Sequence, residues 1–181
     1  PIYSFGPGVA TALAVRIGEG LAVVSPPSRP TEEVFEALAA HGPVKALVAP
    51  NAFHTLGLTP WKMRFPEAAL YAPVQSIPRV QKQTGLAGLR PVAELSAPGV
   101  EFTDMPHYKT GEVLVRIQGA GGLAWYVTDV ILNMPELPVS LVARLLFGLS
   151  RSAPGLRYNN VAPLFMVADK AALRRRSEEH T

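Results

Sequence analysis

The sequence predicts a layered α/β (α+β) domain with mixed β-sheets, and three observations carry that expectation. Short apolar runs alternate with stretches of helical spacing, and glycine-punctuated pairs of runs mark hairpins in two places. A third run, VKALVA at residues 44–49, is apolar enough for a strand buried on both faces. Hairpins and strand–helix crossovers in one chain require parallel and antiparallel pairing together, as in a layered fold with helices against the sheets.

Taken in order, residues 9–17 (VATALAVRI) and 21–25 (LAVVS) are joined by Gly18-Glu19-Gly20 and read as a hairpin. The stretch Pro26-Pro27-Ser28-Arg29-Pro30 excludes helix and central strand. Thr31 is a helix N-cap, with Glu32 and Glu33 in the first turn, where the helix dipole favours them. Val34, Phe35, Leu38 and Ala39 have helical spacing, and Gly42-Pro43 closes the helix. His41, at this helix end, reads as structural. The buried strand at 44–49 then stops at Pro50-Asn51, and His54 follows in the loop.

Residues 56–65 predict a short helix interrupted at Thr59-Pro60, 69–72 a strand, 76–84 a helix, and 86–99 a weak strand between turns. Residues 100–105 lead into Pro106-His107-Tyr108-Lys109-Thr110-Gly111. Residues 112–117 (EVLVRI) alternate cleanly and pair with 123–128 (LAWYVT) across a glycine turn, the clearest hairpin in the chain. The run from Leu137 to Leu149 (LPVSLVARLLFGL) is a helix whose one charge is Arg144; it is expected in the core or at a homo-oligomer contact, with a lid as the other option. A strand at 158–167 and a charged helix at 169–179 complete the expected order.

The 181 residues suffice for one domain with a substantial core. Hydrophobic residues make up 48% and charged residues 17%, with a net charge of +3. Much of the basicity, Arg174-Arg175-Arg176, is answered locally by Glu178 and Glu179, which excludes the basic, aromatic-laced footprint of a nucleic-acid binder. The chain has no cysteine, excluding disulfides and thiolate-bound metals. No apolar run approaches the ~20 residues that span a bilayer, and the N-terminus carries no basic leader region. A soluble, cytoplasmic protein without a membrane span is the expectation.

His54, His107 and Asp129 each end or follow a β-run, so all can converge on one sheet edge. Two imidazoles and a carboxylate suit zinc, iron or manganese with positions left for water. Water on such an ion attacks esters, amides or phosphates. Each residue also has a purely structural reading. His54 is a loop or N-cap residue, His107 a turn residue, and Asp129 a turn cap or a hydrogen-bond partner of His107. Ser25, Ser140 and Ser150 lack a Gly-x-Ser-x-Gly setting, and the glycine turns at 6–8 and 119–122 do not open helices as phosphate loops do.

The order of elements resembles the metallo-β-lactamase superfamily. In that family a buried strand ends in a His-x-His-x-Asp-His loop, a later strand in Gly-His-Thr-x-Gly, and a further one in Gly-Asp. Leu47-Val48-Ala49-Pro50-Asn51-Ala52-Phe53-His54 lies over the first, Pro106-His107-Tyr108-Lys109-Thr110-Gly111 over the second, and Tyr126-Val127-Thr128-Asp129 over the third. The stretch from Arg64 to Ala72 resembles the family's helix exit and next strand, so the likeness runs from about Ile2 to Met134. It implies a four-layer αββα sandwich over residues 1–181, shortened at the C-terminal end.

The departures from the pattern are specific. Ala49 and Asn51 stand at the two leading His positions, Phe53 stands at the Asp position and places an apolar ring there, and only His54 survives. The family's last His has no clear counterpart, Tyr158-Asn159-Asn160 lying in that region. The resemblance therefore implies an uncharacterised branch with a degenerate metal site marked by Asn51, His54, His107 and Asp129, with no confident catalytic residue. A non-catalytic domain that binds a small molecule or a protein partner, without cofactor, is the leading expectation. The alternative is a mononuclear zinc, iron or manganese hydrolase of an ester, thioester or phosphodiester using His54, His107 and Asp129. Trp61, Trp125, Tyr108 and Phe53 are expected to line an apolar cavity beside His54.

Overall fold

The computed structural model describes residues 2–5, 11–162 and 166–167. Its largest sheet has the order β1 (Ile2–Phe5), β2 (Ala12–Ile17), β3 (Gly20–Val24), β4 (Val44–Val48), β5 (Ala69–Ala72), β6 (Leu89–Pro91). The first three strands are antiparallel and the last three pairings are parallel. That switch is the mixed sheet the sequence predicts. The glycine-rich link makes β2–β3 a hairpin, and helical crossovers are needed wherever neighbours run parallel.

Three helices supply those crossovers: α1 (Glu32–Ala39), α2 (Leu58–Arg64) and α3 (Ile77–Thr84). They cover one face of the sheet. Ala14, Leu21, Val23, Leu47, Leu70 and Ala72 pack there against Leu38, Leu58, Trp61 and Val80 of the helices. The Trp61 ring lies 5.1 Å from Phe35 and 5.9 Å from Phe65, locking α2 against α1. Thr31 stands at the α1 N-cap in extended conformation but makes no side-chain cap bond there.

The second sheet is antiparallel, in the order β10 (Gly122–Tyr126), β9 (Val113–Gly119), β8 (Val100–Asp104), β7 (Ser96–Ala97). Its Val100, Phe102, Val113, Val115 and Ile117 face Leu13, Val15, Val24, Ala46 and Val48 of the first sheet in a shared core. Alternation along β4 explains its apolar run, since Ala46 and Val48 face this core while Leu47 and Ala49 face the helices. Each fully buried Val or Leu in such a core contributes about 1.5–3 kcal/mol.

Beyond β10 the chain forms β11 (Ile131–Met134), α4 (Leu141–Leu149) and β12 (Gly155–Tyr158), with β11 and β12 paired antiparallel. Of the placements expected for α4, core or homo-oligomer contact, the structure excludes the core. The helix contains no buried residue, and Leu141, Val142, Leu145 and Leu149 are exposed among the described residues. Its all-round apolar sequence says that it seeks cover without saying where. The expected strand at 158–167 is displaced to Gly155–Tyr158, and the expected helix at 169–179 lies outside the described residues. No helix among the described residues is long and apolar enough to cross a membrane.

Candidate functional site

The loop after β4 is pinned on both sides to the start of β9. Ala52 N–H donates to the Thr110 carbonyl at 2.9 Å, and Val113 N–H donates to the Pro50 carbonyl at 2.9 Å. Between these two backbone bonds, Asn51 meets Glu112. Gly111 makes the approach possible: its φ of +69° suits glycine, and a Cβ there would press on the Pro73 ring.

Glu112 is the residue the sequence reading missed. It is fully buried, and its Oε1 accepts from Thr128 N–H at 2.9 Å, Thr128 Oγ1 at 2.7 Å and Asp129 N–H at 3.0 Å. Its Oε2 accepts from Asn51 Nδ2 at 2.9 Å. Burial pushes this carboxyl above its ordinary value, while the hydrogen bonds from Thr128, Asn51 and the Asp129 amide pull the other way. The available signal was a charged residue beside a glycine turn at the mouth of an otherwise apolar strand.

Asn51 also donates to Asp129 Oδ2 at 2.7 Å. The backbone fixes which way its amide faces, because Oδ1 accepts from the N–H groups of Phe53 at 2.8 Å and His54 at 3.2 Å. The NH2 group therefore points between two carboxylates, where a metal-binding loop would present a lone pair. Among the described residues, no group of three or more His, Asp or Glu is placed to hold a metal ion.

His54 Nε2 lies 3.4 Å from Asp129 Oδ1, and Nδ1 lies 2.8 Å from Ser25 Oγ. Burial works against protonation of this ring, but the Asp129 hydrogen bond and the charges of Asp129 and Glu112 outweigh it and hold the imidazole above its ordinary value. Asp129 is steadied from behind by Asn159, whose Nδ2 donates to the Asp129 carbonyl at 2.7 Å. Tyr126 closes the arrangement, donating to the Thr11 carbonyl at 2.7 Å.

The structure thus joins Asn51, His54 and Asp129, and adds Glu112 and Ser25. His107 sits half-buried in the turn before β9 at a φ of +68°, and no hydrogen bond among the described residues links it to His54 or Asp129. Asp129 spends its oxygens on His54 and Asn51 instead. Phe53 does not fill the site. It is 47% exposed, with the Arg79 guanidinium 4.9 Å from its ring centre. Of the aromatic residues expected around His54, Trp125 lines a cleft with it and Phe53 a second one, whereas Trp61 and Tyr108 are buried in packing clusters elsewhere.

The larger cleft has a volume of about 930 Å³, with His54, Thr128, Asp129 and Asn133 at its polar edge and Trp125 and Leu132 among its apolar walls. The smaller, of about 410 Å³, lies on the other side of His54 against Ser25, Pro27, Phe53 and Leu56. Gly57 lets the two loops beside it touch, since a Cβ there would collide with the Pro26 carbonyl.

No protein-family profile matches the chain. The curated proteins contain no match either. Solved structures do match. The crystal structure of metallo-β-lactamase SMB-1 bound to 2-mercaptoethanesulfonate aligns with a TM-score of 0.52 at 16% identity, covering 70% of this chain and 60% of that one. The same enzyme in complex with mercaptoacetic acid aligns with a TM-score of 0.52 at 18% identity, covering 70% of this chain and 59% of that one. The chain spans about three fifths of the length of these structures. With two facing sheets, helices on the outer face of the first, and the β4 loop meeting the β9 and β10 ends, the chain has the metallo-β-lactamase fold.

Proposed function

We propose that this protein binds a small molecule in the cleft beside Asp129 without the help of a metal ion. The observation that carries the reading is the Asn51 carboxamide, whose Nδ2 donates to Glu112 Oε2 and Asp129 Oδ2. An amide N–H does here what an ion would otherwise do, placing positive charge density between two carboxylates at no net charge. Thr128 and the Asp129 amide complete the hydrogen bonding of Glu112, so the cluster is satisfied by the chain alone.

The walls of the cleft indicate the ligand class. An apolar body fits against Trp125, Ile131 and Leu132, and a polar head reaches Asp129 and Asn133. A volume of about 930 Å³ suits a small organic molecule.

Two measurements test the reading. Metal analysis of purified protein is expected to find no stoichiometric zinc, iron or manganese. About one ion per chain, lost on His107→Ala, would overturn it in favour of a mononuclear hydrolase using His54, His107 and Asp129. Titration with medium-chain acids, alcohols and esters is expected to change the emission of the exposed Trp125, with Trp125→Phe as the blank. A panel that leaves Trp125 emission unmoved counts against the cleft as a binding site.

A further inference from the structure

We propose that Ser25, His54 and Asp129 form a hydrolytic triad, with Ser25 Oγ as the nucleophile toward a carboxylic ester held in the smaller cleft. The inference rests on the metal-independent reading of the site and adds a reaction on the other side of His54, in the smaller cleft. No serine motif announces it; the geometry does.

Ser25 follows β3 directly and has a φ of +55°, a conformation that non-glycine residues rarely adopt. Its N–H is held by the Val48 carbonyl at 3.0 Å, so the strained turn is fixed to β4. Strain of this kind persists where the surroundings impose it, and it concentrates at working sites. The turn aims Oγ at His54 Nδ1, 2.8 Å away, and the far nitrogen of the ring faces Asp129 Oδ1 at 3.4 Å. As a carboxylate, Asp129 accepts only, which assigns the ring proton to Nε2 and leaves the Nδ1 lone pair toward the serine hydroxyl. Asn51 and Asn159 hold Asp129 through its carboxylate and its carbonyl. A nucleophile, a base within hydrogen-bond reach of it, and a third group orienting the base make up the triad logic, whatever the order in the chain.

The step balances without a co-reactant other than water. Ser25 Oγ bonds to the ester carbonyl carbon as its proton passes to His54 Nδ1. The tetrahedral adduct collapses, the bond to the alcohol oxygen breaks, and that oxygen takes the proton from Nδ1. Water then adds to the acyl-serine, giving a proton to Nδ1; the carboxylic acid leaves, and Ser25 Oγ recovers the proton. Ester and water become acid and alcohol. The cleft of about 410 Å³, walled by Pro27, Phe53 and Leu56, accepts a short apolar acyl group. Ser25 and His54 are the catalytic residues, and Asp129 is a positioning residue.

The test uses chelator-treated protein with a fluorophosphonate probe, peptide mass mapping, and p-nitrophenyl acetate and butyrate as substrates. The expected result is an adduct on Ser25 and ester turnover that falls about 100-fold or more in Ser25→Gly and His54→Gln. Glycine accepts the positive φ, so Ser25→Gly is expected to fold at least as stably as the parent while losing turnover. Asp129→Asn is expected to lower kcat with KM little changed, and Ser96→Ala, an exposed change in β7 away from both clefts, to alter neither. Failure of the folded parent protein to take the probe at Ser25, or turnover that survives Ser25→Gly, overturns the triad and leaves the metal-free binding reading standing. Turnover seen only with added zinc, iron or manganese overturns both.

Discussion

Asn51 Nδ2 lies 2.7 Å from Asp129 Oδ2 and 2.9 Å from Glu112 Oε2, so one carboxamide separates two acids brought together from the turn before β9 and the loop after β10. Asn51→Ala leaves both carboxylates short of a donor and strips Phe53 and His54 N–H of their acceptor. It is expected to cost on the order of 2–3 kcal/mol in chemical denaturation. Asn51→Asp puts a third acid in the cluster. Its melting temperature is expected to fall, and to recover on adding zinc or manganese in a way the parent protein does not show.

Glu112→Gln tests the same cluster from the other side. Its Oε1 can still accept from Thr128 and the Asp129 amide, but its NH2 then meets the NH2 of Asn51. Asn51 escapes only by turning its amide and releasing the Phe53 and His54 N–H groups. Stability is expected to drop by about 1–3 kcal/mol, and the probe-labelling rate at Ser25 to fall because His54 loses its seat.

The His54 ring carries a pH signature. Its midpoint, followed by the Cε1 proton in NMR, is expected above the ordinary 6.5, since Asp129 and Glu112 outweigh burial. The sign for stability follows. Below the ordinary value the charged ring contributes fully to the fold, and the contribution is lost as pH rises through the higher folded value. Asp129→Asn is expected to bring the midpoint down and to flatten that slope.

Gly57→Ala is expected to destabilise the protein by about 1–3 kcal/mol, as overpacking does, because its Cβ would enter the Pro26 carbonyl. The loops that carry Ser25 and His54 would be pushed apart, so ester turnover is expected to fall further than stability alone explains. Equal loss of stability with turnover intact would count against loop contact as the determinant of the 2.8 Å bond.

The hairpins β2–β3 and β9–β10 were legible because glycine marks their turns and alternation marks their strands. β4 was legible because a strand buried on both faces has little choice of residues. Glu112 was not. In the alternation EVLVRI it stands in phase with Leu114 and Arg116, which are only half-buried, and so it reads as outward-facing. The strand in fact begins at Val113, and the turn at Gly111 swings Glu112 inward. Ser25 was hidden for a related reason, since positive φ at a serine leaves no mark in composition. His54 and Asp129 were found as strand-end polar residues, and their meeting at 3.4 Å agrees with that placement. For α4 the sequence left core and homo-oligomer contact open, and the structure removes the core option, because an apolar run records a need for cover, not its location.

The bonds from Ala52 N–H to the Thr110 carbonyl and from Val113 N–H to the Pro50 carbonyl involve main chain only. No side chain at position 49, 51 or 53 takes part in them. Replacing Asn51 therefore loosens the Phe53–His54 turn that its Oδ1 holds, but leaves these two main-chain bonds to seat the loop against the start of β9. A fold fastened in this way works as a socket: side chains in the cleft can be exchanged one at a time while the frame that aligns them stays in place.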